Sequence, residues 1–148
     1  MPVSIGIIVM TKKTSWNQKL EASKPHKLKR LDKNFAGMKA GQMMLVPSPK
    51  LLDEFIQTIS AGSNESVISL REQLAKKHKA DVTCPVATGF AIKIVAEAAY
   101  EKLNQGDDPS DVTPVWRVLD NDSPTLQKVS FDKTIFIKLK DAELLEFN

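Results

Sequence analysis

The longest amphipathic stretch of this chain constrains its fold most strongly, because it predicts a long helix that other elements must cover. The stretch opens at Thr83-Cys84-Pro85, where proline suits the first helical position, and Gly106 lies at the expected stop. We therefore predict a helix to about Asn104. Its apolar stripe recurs at helical spacing and consists of Ile92, Val95, Ala99 and Leu103.

Shorter helices are predicted before it. A helix near Trp16–Ser23 is the first, and Ser48-Pro49 opens a second that is expected to stop at Gly62. Ser69-Leu70-Arg71-Glu72 has the Ser and Glu spacing of a capping box and predicts the start of a third. The apolar face of the second helix consists of Leu51, Leu52, Phe55, Ile56 and Ile59.

The last part of the chain predicts strands. Val115–Leu119 and Thr134–Lys140 have strand composition, and 141–147 fits a short amphipathic helix. Helices followed by a strand pair are the order of a winged helix-turn-helix. The predicted fold class is therefore α+β, mainly helical, with a small antiparallel sheet.

The segment Thr113-Pro114-Val115-Trp116-Arg117-Val118-Leu119 resembles the Pro-Cys-His-Arg-Val active-site motif of the alkylguanine-DNA alkyltransferases. The similarity runs from Pro47 to Asp120. It includes the segment from Ser66 to Leu74, which is similar to the family's helix-turn-helix turn, and the long helix, which takes the recognition-helix position. The resemblance implies the family's C-terminal DNA-binding domain.

The chain departs from the family where the chemistry occurs. Val115 stands in place of the acceptor cysteine and Trp116 in place of the histidine, and valine cannot accept an alkyl group. Val67 replaces the tyrosine of the turn. Lys93 is the candidate cation on the long helix, where the family has an intercalating arginine. The resemblance therefore implies a non-catalytic, alkyltransferase-like DNA-binding protein linked to recognition of alkylated DNA and to DNA repair.

Positive charge is concentrated near the N-terminus. Between Thr11 and Gln42 there are nine cations and two carboxylates, which gives +7 against +3 for the whole chain. We predict a basic, partly flexible arm over residues 1–42 and a winged-helix domain over 43–148, although a solvated tail fits the charge equally well. Trp16 and Phe35 are candidate stacking residues. The candidate nucleic-acid contacts are Lys27, Lys29, Arg30, Lys93, Trp116 and Arg117.

Several of these residues have structural alternatives. Trp116 fits a core indole as well as the wall of a base pocket, but Val115 and Trp116 cannot both point inward from a strand. Arg117 fits a salt bridge to Glu97 or Glu101. These glutamates lie on the long helix and repel phosphate, which favours the alternative function of a winged-helix module repurposed for protein–protein contact.

The remaining composition restricts other chemistry. Cys84 is the one cysteine, so no intrachain disulfide is possible and a reducing, cytoplasmic compartment is expected. We interpret it as a small residue beside a helix cap rather than as a surrogate nucleophile. His26 and His78 lack ligand spacing, so we expect neither a metal nor a cofactor. The apolar run at 1–10 lacks the charge order of a signal peptide and is too short to span a membrane, which makes Met10 a candidate start. We expect a monomer without membrane contact.

Overall fold

The computed structural model describes residues 15–119 and 128–147, and the α+β class predicted from the sequence is confirmed there. None of the helices in these ranges is long and apolar enough to cross a membrane. The helices are α1 Trp16–Glu21, α2 Pro49–Ile56, α3 Val67–Lys77, α4 Pro85–Asn104 and α5 Thr134–Phe147. The strands are β1 Lys27–Arg30, β2 Met43–Val46 and β3 Val82–Thr83, and Pro109–Asp111 and Val115–Arg117 are 3₁₀ turns.

The sheet is mixed rather than purely antiparallel, with the strand order β1-β2-β3. β1 runs antiparallel to β2, with Lys27 opposite Val46 and Lys29 opposite Met44. β3 runs parallel to β2 because the helices α2 and α3 between them return the chain in the same direction. The prediction of a purely antiparallel sheet was wrong, since it placed the strands after the long helix instead of before it.

The long helix α4 is the centre of the fold, as the sequence predicted. Cys84 caps its first turn, where the thiol sulfur accepts a hydrogen bond from the Ala87 N–H at 3.4 Å. Ile92, Val95 and Ala99 are buried in the main core. Helices α1 and α2 pack along α4, so this apolar stripe is covered from two sides.

The starts and ends of the shorter helices differ in part from the prediction. Ser48 caps α2 as expected, but that helix ends at Ile56, before Gly62. The cap of α3 is Ser66, whose hydroxyl oxygen accepts a hydrogen bond from the Ser69 N–H at 2.9 Å. The predicted capping box at Ser69 was wrong, because Ser69 lies inside the first turn of α3.

The two predicted wing strands do not form. Val115–Arg117 is a 3₁₀ turn, and the second predicted strand is the first half of α5. Alternation of Ile135, Ile137 and Leu139 suggested a strand, but Phe136 is the residue that is buried in the core. The carboxylate of Asp132 accepts a hydrogen bond from the Thr134 N–H at 3.0 Å and forms an Asx turn immediately before α5.

Residues 15–42, which belong to the predicted arm, contribute regular structure. The predicted helix near residue 16 is confirmed as α1, and its Leu20 is buried in the main core. The Glu101 carboxylate accepts hydrogen bonds from the N–H groups of Trp16 and Asn17 at 2.8 and 3.0 Å. A boundary at residue 42 stays a prediction, and residues 1–14 lie outside the described ranges.

Trp116 is expected to contribute strongly to stability, because its indole is 2% exposed and packs on Phe136 with ring centroids 5.8 Å apart. Trp116→Ala should lower the free energy of unfolding by about 3–5 kcal/mol, measured by urea denaturation. Phe90 is 70% exposed, so Phe90→Ala is the matched control and should change it by less than about 0.5 kcal/mol. Equal losses in the two variants would contradict a core role for Trp116.

Candidate nucleic-acid interface

The motif that carries the family resemblance is buried. Val115 is 0% and Trp116 2% exposed, because a 3₁₀ turn directs both side chains inward. The expectation that only one of them could point inward was wrong, since it assumed a strand. The Thr113 hydroxyl donates to the Asp53 carboxylate at 2.6 Å and ties the turn to α2. The Trp116 ring therefore lies in the core and not on the wall of an open pocket.

Arg117 fixes the motif turn to the C-terminal helix. Its guanidinium donates to both carboxylate oxygens of Glu143, with N···O distances of 2.9 and 2.8 Å, and to the Ile59 carbonyl oxygen at 2.6 Å. The salt bridge expected for this arginine is present, but its partner is Glu143. Glu97 instead accepts hydrogen bonds from Ser130, and Glu101 from the start of α1.

The environment of Glu143 favours its ionised form. Hydrogen bonds from Arg117 are the main cause that lowers the pKa of this carboxyl group, and partial burial opposes them. The indole N–H of Trp116 also lowers the pKa of Glu143. The two groups nevertheless do not form a hydrogen bond. Arg117 is therefore paired inside the protein, whereas the buried indole N–H of Trp116 has no hydrogen-bond partner among the described residues.

Lys27 and Lys29 lie on a different part of the molecule. Side chains alternate along a strand, so these two lysines share one face of β1, and Leu31 follows directly after the strand. Together with Lys33 they surround a cavity of about 380 Å³. The cavity is lined mainly by apolar side chains from the loop after β1, from β2 and from the start of α4, and these are Leu31, Phe35, Met44, Val46 and Cys84. We call Lys27, Lys29, Lys33 and this cavity the basic face.

A tight loop places Phe35 at the basic face. Phe35 and Met38 exchange backbone hydrogen bonds of 3.0 and 2.8 Å, and the turn between them uses positive φ at Ala36 and Gly37. The Phe35 side chain is 44% exposed. Arg30 projects from the other side of β1, where its guanidinium donates to the Gly41 carbonyl oxygen at 2.6 Å. Arg30 is therefore not part of the basic face.

Lys93 belongs to a second cationic position on α4. Its ammonium nitrogen lies 5.8 Å from the centroid of the Trp16 ring, and the ammonium nitrogen of Lys19 lies 4.1 Å from the same centroid. Trp16 is thereby approached by two cations, an arrangement that stabilises them through the electron-rich ring. Of the six predicted contacts, only Lys27 and Lys29 meet at an exposed site.

Two histidines contact each other near the end of α3. The rings of His26 and His78 meet edge to face with centroids 4.8 Å apart. Burial is the main cause that lowers the pKa of His78, and the charges of His26 and Lys77 add to it. Within residues 15–119 and 128–147 no group of three or more His, Cys, Asp or Glu side chains is placed to hold a metal ion.

Comparisons of the chain with the models of known protein families, with curated proteins and with solved structures find no match. The resemblance of the motif to the alkyltransferases therefore stays a prediction.

Acid titration tests the contact between Arg117 and Glu143. The pKa of Glu143 is lowered from 4.5, so the stability it contributes is present above that pH and is lost as the pH falls through the lowered pKa. Glu143→Gln should therefore be less stable than the wild type by about 1–3 kcal/mol at pH 7. This difference should shrink toward pH 3 in urea denaturation.

Glu146→Gln is the control for this titration, because Glu146 is an exposed glutamate on the same helix. It should change the free energy of unfolding by less than about 0.5 kcal/mol at either pH. A constant difference between Glu143→Gln and the wild type across the pH range would contradict the assigned role of the carboxylate.

Proposed function

We propose that this protein is a non-catalytic DNA-binding protein whose basic face contacts phosphate groups. The observation that carries the proposal is the pairing of Lys27 and Lys29 on one face of β1, where both are exposed. Among residues 15–119 and 128–147, neither forms an ion pair. From Lys24 to Lys39 the chain has six cations and one carboxylate, which gives +5. Such clusters supply the sequence-independent part of DNA affinity.

The proposal excludes alkyl transfer at the motif. Transfer requires a thiolate, whereas Val115 occupies the acceptor position and is fully buried. Cys84 is buried and its sulfur accepts a hydrogen bond from the backbone at the start of α4. Recognition of alkylated DNA, a link to repair and a cytoplasmic location remain parts of the proposal that rest on the resemblance and the cysteine content. The proposal keeps a helix-turn-helix formed by α3 and α4 but not the two wing strands.

A protein partner is the second candidate, and α4 carries the observation that favours it. Val86 and Phe90 are 49% and 70% exposed and lie four residues apart, so they share one side of the helix. Exposed apolar pairs of this kind are typical of protein contacts. Binding through them would depend weakly on salt, whereas phosphate contacts depend on it steeply.

The salt dependence of DNA binding tests the basic face. The double variant Lys27→Gln/Lys29→Gln should bind a fluorescein-labelled duplex more weakly than the wild type in anisotropy titrations. It should also reduce the slope of log K against log salt concentration by about 2, because each lysine neutralises one phosphate.

Lys76→Gln/Lys138→Gln is the matched control, since it removes two exposed lysines that lie outside the basic face, on α3 and α5. This variant should bind the duplex with the affinity and slope of the wild type. If both double variants lose affinity equally, the basic face is not the contact surface.

Mass spectrometry of the intact protein tests the absence of alkyl transfer. Incubation with a duplex that contains an alkylated guanine should leave the mass unchanged, because the motif has no thiol. A stoichiometric mass increase located on Cys84 would show that the buried cysteine is an acceptor after all.

A further inference from the structure

We propose that the cavity of the basic face takes one unpaired nucleobase of a single-stranded nucleic acid, stacked against Phe35. This inference rests on the proposed function, because it assumes that the basic face contacts nucleic acid. It also specifies the ligand, which phosphate contacts alone do not: a nucleic-acid strand with at least one unpaired base.

The apolar lining of the cavity points to more than a phosphate group. Phosphates need cations and donors, yet Leu31, Met44 and Val46 present only hydrocarbon and thioether surface to the cavity. A volume of about 380 Å³ lies within the range of pockets for small organic groups. A flat, largely apolar base face fits this lining, and a solvated phosphate does not.

Phe35 supplies the stacking surface. Its ring is part of the cavity wall and 44% exposed, and the hydrogen bonds between Phe35 and Met38 hold the loop that carries it. Because the backbone of this loop is held by hydrogen bonds before binding, the loop loses little conformational freedom when a base stacks on the ring. Stacking of this kind is tolerant of base identity.

The three lysines of the basic face line the cavity, so they lie near the nucleic-acid backbone on either side of an inserted base. Lys27 and Lys29 are two residues apart on β1, which separates them by about 7 Å along the strand, and Lys33 also lines the cavity. Such an arrangement can contact phosphates that flank an inserted base. Asp32 is the one carboxylate among the described residues that line the cavity, and it can accept a hydrogen bond from the amino or imino group of a base.

A preference for single strands follows from this geometry. In a duplex each base is paired and stacked on both faces, so it cannot enter the cavity without being unpaired first. The 148-residue chain should therefore bind an unstructured 12-nucleotide strand more tightly than a blunt duplex of the same sequence at the same salt concentration.

Anisotropy titrations with these two labelled probes test the inference. Phe35→Ala and Phe35→Leu should each lower the affinity for the single strand by about 5- to 150-fold, because they remove the stacking ring. Phe35→Tyr should retain it. All three should bind the duplex as the wild type does. Leu145→Ala removes another exposed apolar side chain, which lies on α5, and should leave both affinities unchanged. Thermal melting confirms that each variant is folded.

The outcomes separate the inference from the proposed function. Equal affinity for both probes, or equal loss of both in Phe35→Ala, would overturn the base site while leaving the basic face as a phosphate contact. Absence of salt-dependent binding to either probe would overturn both. Phe35-dependent binding to phosphatidylserine vesicles, without binding to either probe, would assign the cavity to a lipid and also overturn the inference.

Discussion

The fold depends on the way in which Arg117 joins three segments that are distant in sequence. Its guanidinium holds Glu143 on α5 and the Ile59 carbonyl oxygen after α2, while its own carbonyl oxygen accepts a hydrogen bond from the Glu65 N–H at 2.9 Å. The adjoining Val115 and Trp116 fill the core beneath this junction. A partly buried arginine needs such a set of partners, because each unsatisfied donor would cost free energy. The turn at Val115–Arg117 therefore has a structural role.

Because this turn has a structural role, the candidate functional site lies on another surface. A side chain that packs the core cannot also contact a nucleobase, and the pairing of Arg117 leaves its guanidinium engaged within the protein. The basic face has the opposite character, because Lys27 and Lys29 are exposed and surround an apolar cavity. The basic face is separate from the motif. The family resemblance therefore places nucleic-acid contact at the motif, whereas the exposed lysines place it at the basic face.

Local chemistry made some elements predictable from sequence. Serine at position 48 and proline at position 85 mark helix starts because capping involves neighbouring residues only. The segment around Phe136 was not predictable in this way, since its apolar residues fit a strand and a helix equally well. β1 lacked any strand signal, because all four of its residues are exposed and its order comes from pairing with β2. The cavity is formed by residues of β1 and β2 together with Cys84 at the start of α4. No local sequence pattern shows that these three elements lie next to each other.

Contact at the basic face rather than at the motif is tested most directly by backbone amide NMR during titration with the single strand. Shift changes should concentrate at residues 27–35 and 43–46 and around Cys84, where the strands and the start of α4 surround the cavity. The amides of residues 115–117 should keep their positions. Shift changes centred on the motif turn, with residues 27–35 unaffected, would contradict the assignment.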